Sequence, residues 1–213
     1  MPAKNSIKQY LEGGYYHIYN RGVEKRPIFL DEQDYTTFLN LLKKYLDPTI
    51  GSDPKQKVSP IASEIDLIAF CLMSNHFHLQ VKQHTKYGIT KLMRAVWGSY
   101  VNYFNKKYAR DGSLCQGKYK AVLVQNDIQL LHLSRYIHLN PTKLGSDPKT
   151  YSYSSYQYYL GIKKAPWVKT AEILAHFKSG PNRHKGDLFS YQSFVEDYQQ
   201  DSAEILGELT IEE

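Results

Sequence analysis

The sequence predicts an α+β fold: an antiparallel sheet with helices on one face, followed by a small C-terminal helical appendage. Three observations carry that expectation. Strand-like and helix-like periodicities alternate along the chain in the order strand, helix, strand, strand, helix, strand, helix. The two middle strands are joined by only a short turn, so they pair as an antiparallel hairpin. Past residue 150 the sequence changes character and becomes rich in tyrosine.

Residues 14–20 (GYYHIYN) alternate as a strand does, and Arg21-Gly22 closes it. Residues 31–46 predict an amphipathic helix, with Tyr35, Phe38, Leu39, Leu42, Tyr45 and Leu46 on one stripe and Asp31 as its N-cap. A Pro/Gly/Ser loop is expected over 47–60. Residues 64–72 (EIDLIAFCL) and 75–82 (NHFHLQVK) are the hairpin strands. The strongest helix signal covers 88–108, where Ile89, Leu92, Met93, Val96, Trp97, Tyr100, Val101, Phe104 and Tyr108 recur at spacings of three and four. A loop follows, then a strand over 117–124 (GKYKAVLV). Asn126 or Asp127 caps a last helix, which Pro141 stops near Asn140. The first six elements have the split βαβ order of a ferredoxin-like (RRM-like) domain, a fold that hosts many functions and chooses none. Residues 1–162 are read as that domain. Residues 163–213 are read as an extension with two short helices over 167–199 and a frayed acidic end.

The 213 residues suffice for one core and a small appendage. No apolar run is long enough to span a membrane, and MPAKNSIKQYLEGG lacks the apolar segment of a signal peptide, so a cytoplasmic protein is expected and export is not. Cys71 and Cys115 have no metal or redox spacing and are expected to stay reduced. The net charge is +6 and the sequence pI about 9.0. Residues 200–213 hold five acids and no Lys or Arg, so the remainder of the chain carries +11. A basic body fits a polyanion partner; it equally fits an ordinary soluble basic protein. The 19 tyrosines include rings that could stack on unpaired bases, although most suit core and surface filling.

Within NHFHLQVK, His76 and His78 are two apart on one strand, so their rings share a face, while Leu79 and Val81 point the other way. Two imidazoles so placed make a natural pair of metal ligands. Two histidines on an exposed sheet face would equally raise no question. Closed zinc is disfavoured, because no cysteines stand nearby. Gln80 shares the face and is at most a weak third ligand. On the last helix His132, Tyr136 and Asn140 recur at i, i+4, i+8, drifting by roughly 40° per step, and form one polar stripe. Leu130, Leu133 and Ile137 can anchor that helix. Alone, the stripe reads as a solvated face. Beside two metal-binding histidines it reads differently. A tyrosine, with its pKa near 10, becomes a useful nucleophile when a divalent cation activates a phosphate. Asn140 offers a neutral oxygen ligand one turn from Tyr136. Two histidines and an amide leave open positions, which suits Mg²⁺ or Mn²⁺.

NHFH followed some sixty residues later by RYIHLNP resembles the HUH single-strand DNA transposases with one catalytic tyrosine, most closely the REP-associated tyrosine transposases. YYHIYNRGVEKRPIF, QGKYKAVLV and YSYSSYQYYLG support the likeness, which spans residues 13–162. The resemblance implies His76 and His78 as metal ligands, Asn140 as the amide-bearing third ligand and Tyr136 as the nucleophile. It implies cleavage of single-stranded DNA beside imperfect hairpins through a covalent 5′-phosphotyrosine, with release of a 3′-hydroxyl that can later reverse the step. A divalent metal, Mg²⁺ or Mn²⁺, is the cofactor implied, and a monomer or a homodimer the assembly. The chain departs from the family at Ser74, where proline is common, and at Cys115, where tryptophan is common. His138 lies about 200° around the helix from Tyr136 and receives no catalytic role.

Arg21, Arg94, Lys118, Lys120, Arg135 and Lys143 are the basic DNA-binding candidates, with Tyr119 a stacking neighbour between two lysines. Singly, each is as well read as a solvated charge. Two rival functions stand beside the transposase. One is a non-catalytic regulator that binds hairpin DNA or RNA. The other is a metal-dependent phosphohydrolase that uses activated water, with Tyr136 only structural.

Overall fold

In the computed structural model, residues 8, 10–50, 59–177, 190–197 and 203–210 are described. Four strands form one antiparallel sheet: β1 (Tyr15–Arg21), β2 (Ile65–Met73), β3 (His76–Gln83) and β4 (Lys120–Leu123), in the spatial order β2-β3-β1-β4. The long helices are α1 (Glu32–Leu46), α2 (Gly88–Lys107) and α3 (Asp127–Leu139). Order and pairing are those expected for the ferredoxin-like arrangement. β4 is shorter than its apolar pattern, because Gly117 takes a left-handed φ of 78° and its N–H turns back to the Cys115 carbonyl.

The helix caps behave as their residues dictate. Asp31 accepts from the Asp34 N–H while the Asp34 side chain accepts from the Asp31 N–H, a capping box that opens α1. Asn126 caps α3 through the Gln129 N–H. Pro141 ends α3, and the chain continues as a 3-10 turn over Asn140–Leu144 that closes on left-handed Gly145.

Period-two alternation divides the sheet between two cores. Tyr16, Ile18, Phe77, Leu79, Val81 and Ala121 face α1 and α2. Phe38 lies wholly buried in that layer, with its ring 5.2–6.3 Å from those of Phe29, Phe77, Trp97 and Tyr100. Phe38→Ala is expected to cost about 3–5 kcal/mol, read as a lowered urea midpoint with an unchanged slope.

Helices on one face describes α1 and α2 only. The other face carries a second core, in which Ala69, Cys71 and Met73 of β2 meet Leu130, Leu133 and Ile137 of α3. Four short helices add to it: α4 (Tyr156–Tyr159), α5 (Ala171–Ala175), α6 (Tyr191–Glu196) and α7 (Ala203–Leu206). The YSYSS segment lies along the edge of β2, through Leu72 N–H to the Tyr153 carbonyl and Ser155 N–H to the Phe70 carbonyl. The expected loop at 47–60 and helical stretch at 167–199 fall in part on 51–58, 178–189 and 198–199, outside the described residues. The acidic end is not frayed over its described part. Leu206 and Leu209, three apart, are buried in the second core, and that apolar burial holds the turn in place.

Candidate active site

The site lies between the sheet and α3. The β1–β3 register sets Arg21 opposite His76, Tyr19 opposite His78 and His17 opposite Gln80. Lys120 of β4 stands opposite Tyr19. Alternation therefore puts His17, Tyr19, Arg21, His76, His78, Gln80 and Lys120 on one face. Gln80 docks the helix: its Nε2 donates to the Leu130 carbonyl of α3 at 2.9 Å. That bond fixes the amide, while the Gln80 Oε1, the atom that could ligate, is buried with no hydrogen-bond partner among the described residues. With α3 so placed, the Tyr136 ring stands edge-on to His78 at 5.4 Å and to His17 at 6.3 Å, centroid to centroid. One turn on, Asn140 Nδ2 donates to the Tyr136 carbonyl at 2.8 Å, which leaves its Oδ1 for other partners. One chain brings His76, His78, Tyr136 and Asn140 together.

Hydrogen bonds decide which ring nitrogen of His76 is bare. Asn75 Nδ2 donates to the Lys25 carbonyl, so Asn75 Oδ1 accepts from His76 Nδ1–H at 2.6 Å. Nε2 of His76 then carries the lone pair. Nε2 of His78 is buried and meets no hydrogen-bond partner among the described residues. Burial, then the charge of Arg21, pushes His76 down to about 4; the Asn140 amide acts in the opposite sense, as an oxygen turned toward a positive ring does. Burial also holds His78 well below the usual histidine range, with His76, His17, Lys143 and Arg21 adding to it. A buried imidazole nitrogen without a partner, a second bare imidazole nitrogen and an amide oxygen suit a cation with open positions. Among the described residues no group of three or more His, Cys, Asp or Glu gathers as a metal site, so a closed all-protein cage is not built there.

Buried histidines also couple folding to pH. Burial lowers His17 to about 3 and His138 to about 3, beside His76 at about 4. Unfolded, each titrates near 6.5. Between those values the unfolded chain binds more protons, so stability falls as pH drops from 7 toward 4. The expected loss is on the order of 1 kcal/mol per pH unit for each such histidine, measurable as urea midpoints at pH 7.5, 6 and 5.

The DNA-binding candidates separate. Arg21 lies beside His76, and its buried Nε meets no partner. Lys143 Nζ lies 5.6 Å from the centre of the Tyr136 ring. Lys120 shares the site face, and Lys118 is exposed just before it. Tyr119 turns toward the α1/α2 core; Lys8 covers its ring at 3.6 Å and Tyr10 bonds its hydroxyl. Arg94 is exposed on α2, in the layer opposite the site. Arg135 is corrected outright. It is fully buried, with its guanidinium 4.6 Å from the Phe194 ring and bonded to His132 Nδ1, so it braces α3 against α6 and offers no surface contact. His138 is likewise structural, bonded through Nδ1 to the Tyr191 hydroxyl and through Nε2 to Ser155 Oγ.

The departure at Ser74 disturbs nothing, because only its carbonyl is used, accepting from the N–H groups of Ile28 and Phe29. Proline would keep that carbonyl. Gly22 is required at the turn below the site: a Cβ there would lie 2.0 Å from the Arg26 carbonyl oxygen. His17 and Tyr19 belong to the site face and were not singled out from the sequence. Alternation in GYYHIYNR puts them on Arg21's face, but only the pairing of β1 with β3 brings that face to His78.

A family model described as "Transposase IS200 like" matches residues 11–140. Among solved structures, a REP-associated tyrosine transposase bound to a REP hairpin is similar in fold. Its TM-score is 0.53 at 15% identity, and the match covers 76% of this chain and 90% of that one. A protein described as a transposase from Deinococcus radiodurans gives a TM-score of 0.36 at 15% identity, over 64% of this chain and 95% of that one. No curated protein matches.

Proposed function

The chain belongs to the IS200-like transposase family, and on that premise we propose that it cleaves and rejoins single-stranded DNA beside a hairpin, with Tyr136 as nucleophile. The observation that carries the reading is the convergence of Tyr136 on His78, whose buried Nε2 is otherwise unpartnered. His76, His78 and Asn140 would hold a divalent metal, Mg²⁺ or Mn²⁺. When bound, the metal supplies Lewis-acid polarisation of the scissile phosphate.

The chain's own groups do the rest. The Tyr136 oxygen attacks phosphorus; a tyrosyl O–P bond forms as the P–O3′ bond breaks. The proton lost by the phenol reaches the departing 3′-oxygen through solvent, so a 3′-hydroxyl is released and the 5′-phosphate stays on the protein. Attack by another 3′-hydroxyl reverses the exchange and joins strands without an external energy source. Arg21 and Lys143, which flank the histidines, are suited to offset phosphate charge, and Lys118 and Lys120 to track the strand. Residues 1–162 form the catalytic unit in this reading and 163–213 the extension. The solved relative of similar fold was bound to a REP hairpin, which makes such a hairpin the first substrate to try.

The test is a denaturing gel of labelled single-stranded hairpin DNA with varied flanks, incubated with the protein and Mn²⁺ or Mg²⁺. A metal-dependent, protease-sensitive covalent band is the expected result. Binding without cleavage across the panel would replace the enzyme with a hairpin-binding regulator.

A further inference from the structure

One buried contact chain leads from the proposed metal site to the C-terminal turn. His17 is wholly buried, and its Nδ1 lies 2.5 Å from the backbone carbonyl of Leu209, 192 residues away. Its Nε2 lies 2.8 Å from His78 Nδ1. The two rings are nearly coplanar, 16° apart, with centroids 5.0 Å apart. That is the geometry of an in-plane hydrogen bond between ring edges, not of a face-to-face stack. The direction of each bond follows from one fact: a carbonyl only accepts. His17 must carry its proton on Nδ1 and donate it to Leu209. An imidazole with a single ring proton, here on Nδ1, accepts through its other nitrogen, so Nε2 of His17 is the acceptor and His78 Nδ1–H the donor. The remaining nitrogen of His78, Nε2, is left deprotonated, with no hydrogen-bond partner among the described residues.

We infer that His17 is a positioning residue: held by the Leu209 carbonyl, it keeps the proton of His78 on Nδ1 and turns the bare Nε2 into the site, so that the C-terminal turn, packed on the same sheet face, completes the metal centre. The inference rests on the reading of His78 as a metal ligand. Metal-binding histidines generally need their second nitrogen tied down, because an untied ring samples both tautomers and rotates. His76 has Asn75 for that purpose. His78 pairs instead with a second histidine, the nearest amide on its own face of the strand, Gln80, donating to the Leu130 carbonyl of α3. The anchor of that second histidine is a main-chain oxygen, whose position is set by the burial of Leu206 and Leu209 in the second core. The acidic C-terminal segment thereby acts on the site through one carbonyl rather than through its charges.

The deciding experiment is a long-range ¹H–¹⁵N correlation spectrum of the metal-free full-length protein at pH 7.5, which reports the tautomer of each histidine. The expected result is a protonated Nδ1 and bare Nε2 for His78, and the same tautomer for His17. Protonation of His78 on Nε2 in the wild type overturns the inference with no variant needed. His17→Phe, which keeps a ring but removes both nitrogens, is expected to let His78 sample both tautomers and to weaken Mn²⁺ binding, followed by its paramagnetic resonance signal, about 10- to 100-fold. His17→Gln, whose amide can both donate and accept, is expected to recover part of that affinity. A chain ending at Leu206 should behave as His17→Phe does. An unchanged His78 tautomer and Mn²⁺ affinity in folded His17→Phe would overturn the relay while leaving His78 a ligand. Unchanged Mn²⁺ affinity in His78→Ala would overturn the ligand reading and the relay with it.

Discussion

Tyr136→Phe is expected to abolish both the covalent DNA adduct and strand cleavage, with a loss on the order of 10⁴-fold or more, as for removal of other enzymatic nucleophiles. The substitution deletes one oxygen and leaves the ring. Its edge-on contacts to His78 and His17, and the Lys143 ammonium near its face, persist. Tyr136 is only partly buried, so the change in stability should stay within about 1 kcal/mol. A folded, metal-binding, DNA-binding protein that forms no adduct is therefore the expected phenotype, checked by the denaturing gel alongside a urea titration. Cleavage retained in the variant would transfer the nucleophile to water and make the protein a phosphohydrolase.

His78→Ala is expected to have the second largest effect, and on a different observable. In the wild type a saturating metal is expected to stabilise the fold by mass action, by about 2.7 kcal/mol when its concentration is 100 times Kd. The alanine variant should show no Mn²⁺-dependent rise in Tm and no cleavage. His76→Ala should do the same in milder form, since Nε2 of His78 is the more deeply buried donor and Nε2 of His76 lies in a partly exposed ring. Chelation of the wild-type protein should reproduce the loss of cleavage, and Mn²⁺ should restore it. A full Mn²⁺-dependent thermal shift in His78→Ala would move the metal elsewhere.

Much of this site could be read in one dimension because its spacings are local. His76 and His78 share a face whatever strand lies beside them, since alternation is a property of one strand. Tyr136 and Asn140 share a stripe whatever the helix packs on, since 3.6 residues per turn is a property of one helix. Asp31 and Asn126 cap their helices through bonds reaching three residues ahead. Sequence reasoning misread Arg135 because helical position alone does not say which neighbours arrive. Phe194, 59 residues on, covers its guanidinium and removes it from any DNA surface. It misread the acidic end because charge counts hide two leucines three apart.

What the sequence by itself determined, then, is the order of elements, the two-histidine face, the tyrosine–asparagine stripe and the basic body, all consequences of short-range periodicity and composition. Tertiary structure alone decided that α3 lands on the sheet face opposite α1 and α2, tied by Gln80 to the Leu130 carbonyl. It alone set β1 beside β3 in the register that gives His78 its histidine partner, and it alone carried a carbonyl from residue 209 to residue 17. The reason is physical. Register, helix docking and main-chain anchoring are set by burial between segments far apart in the chain, and no local spacing encodes which distant surface will meet which.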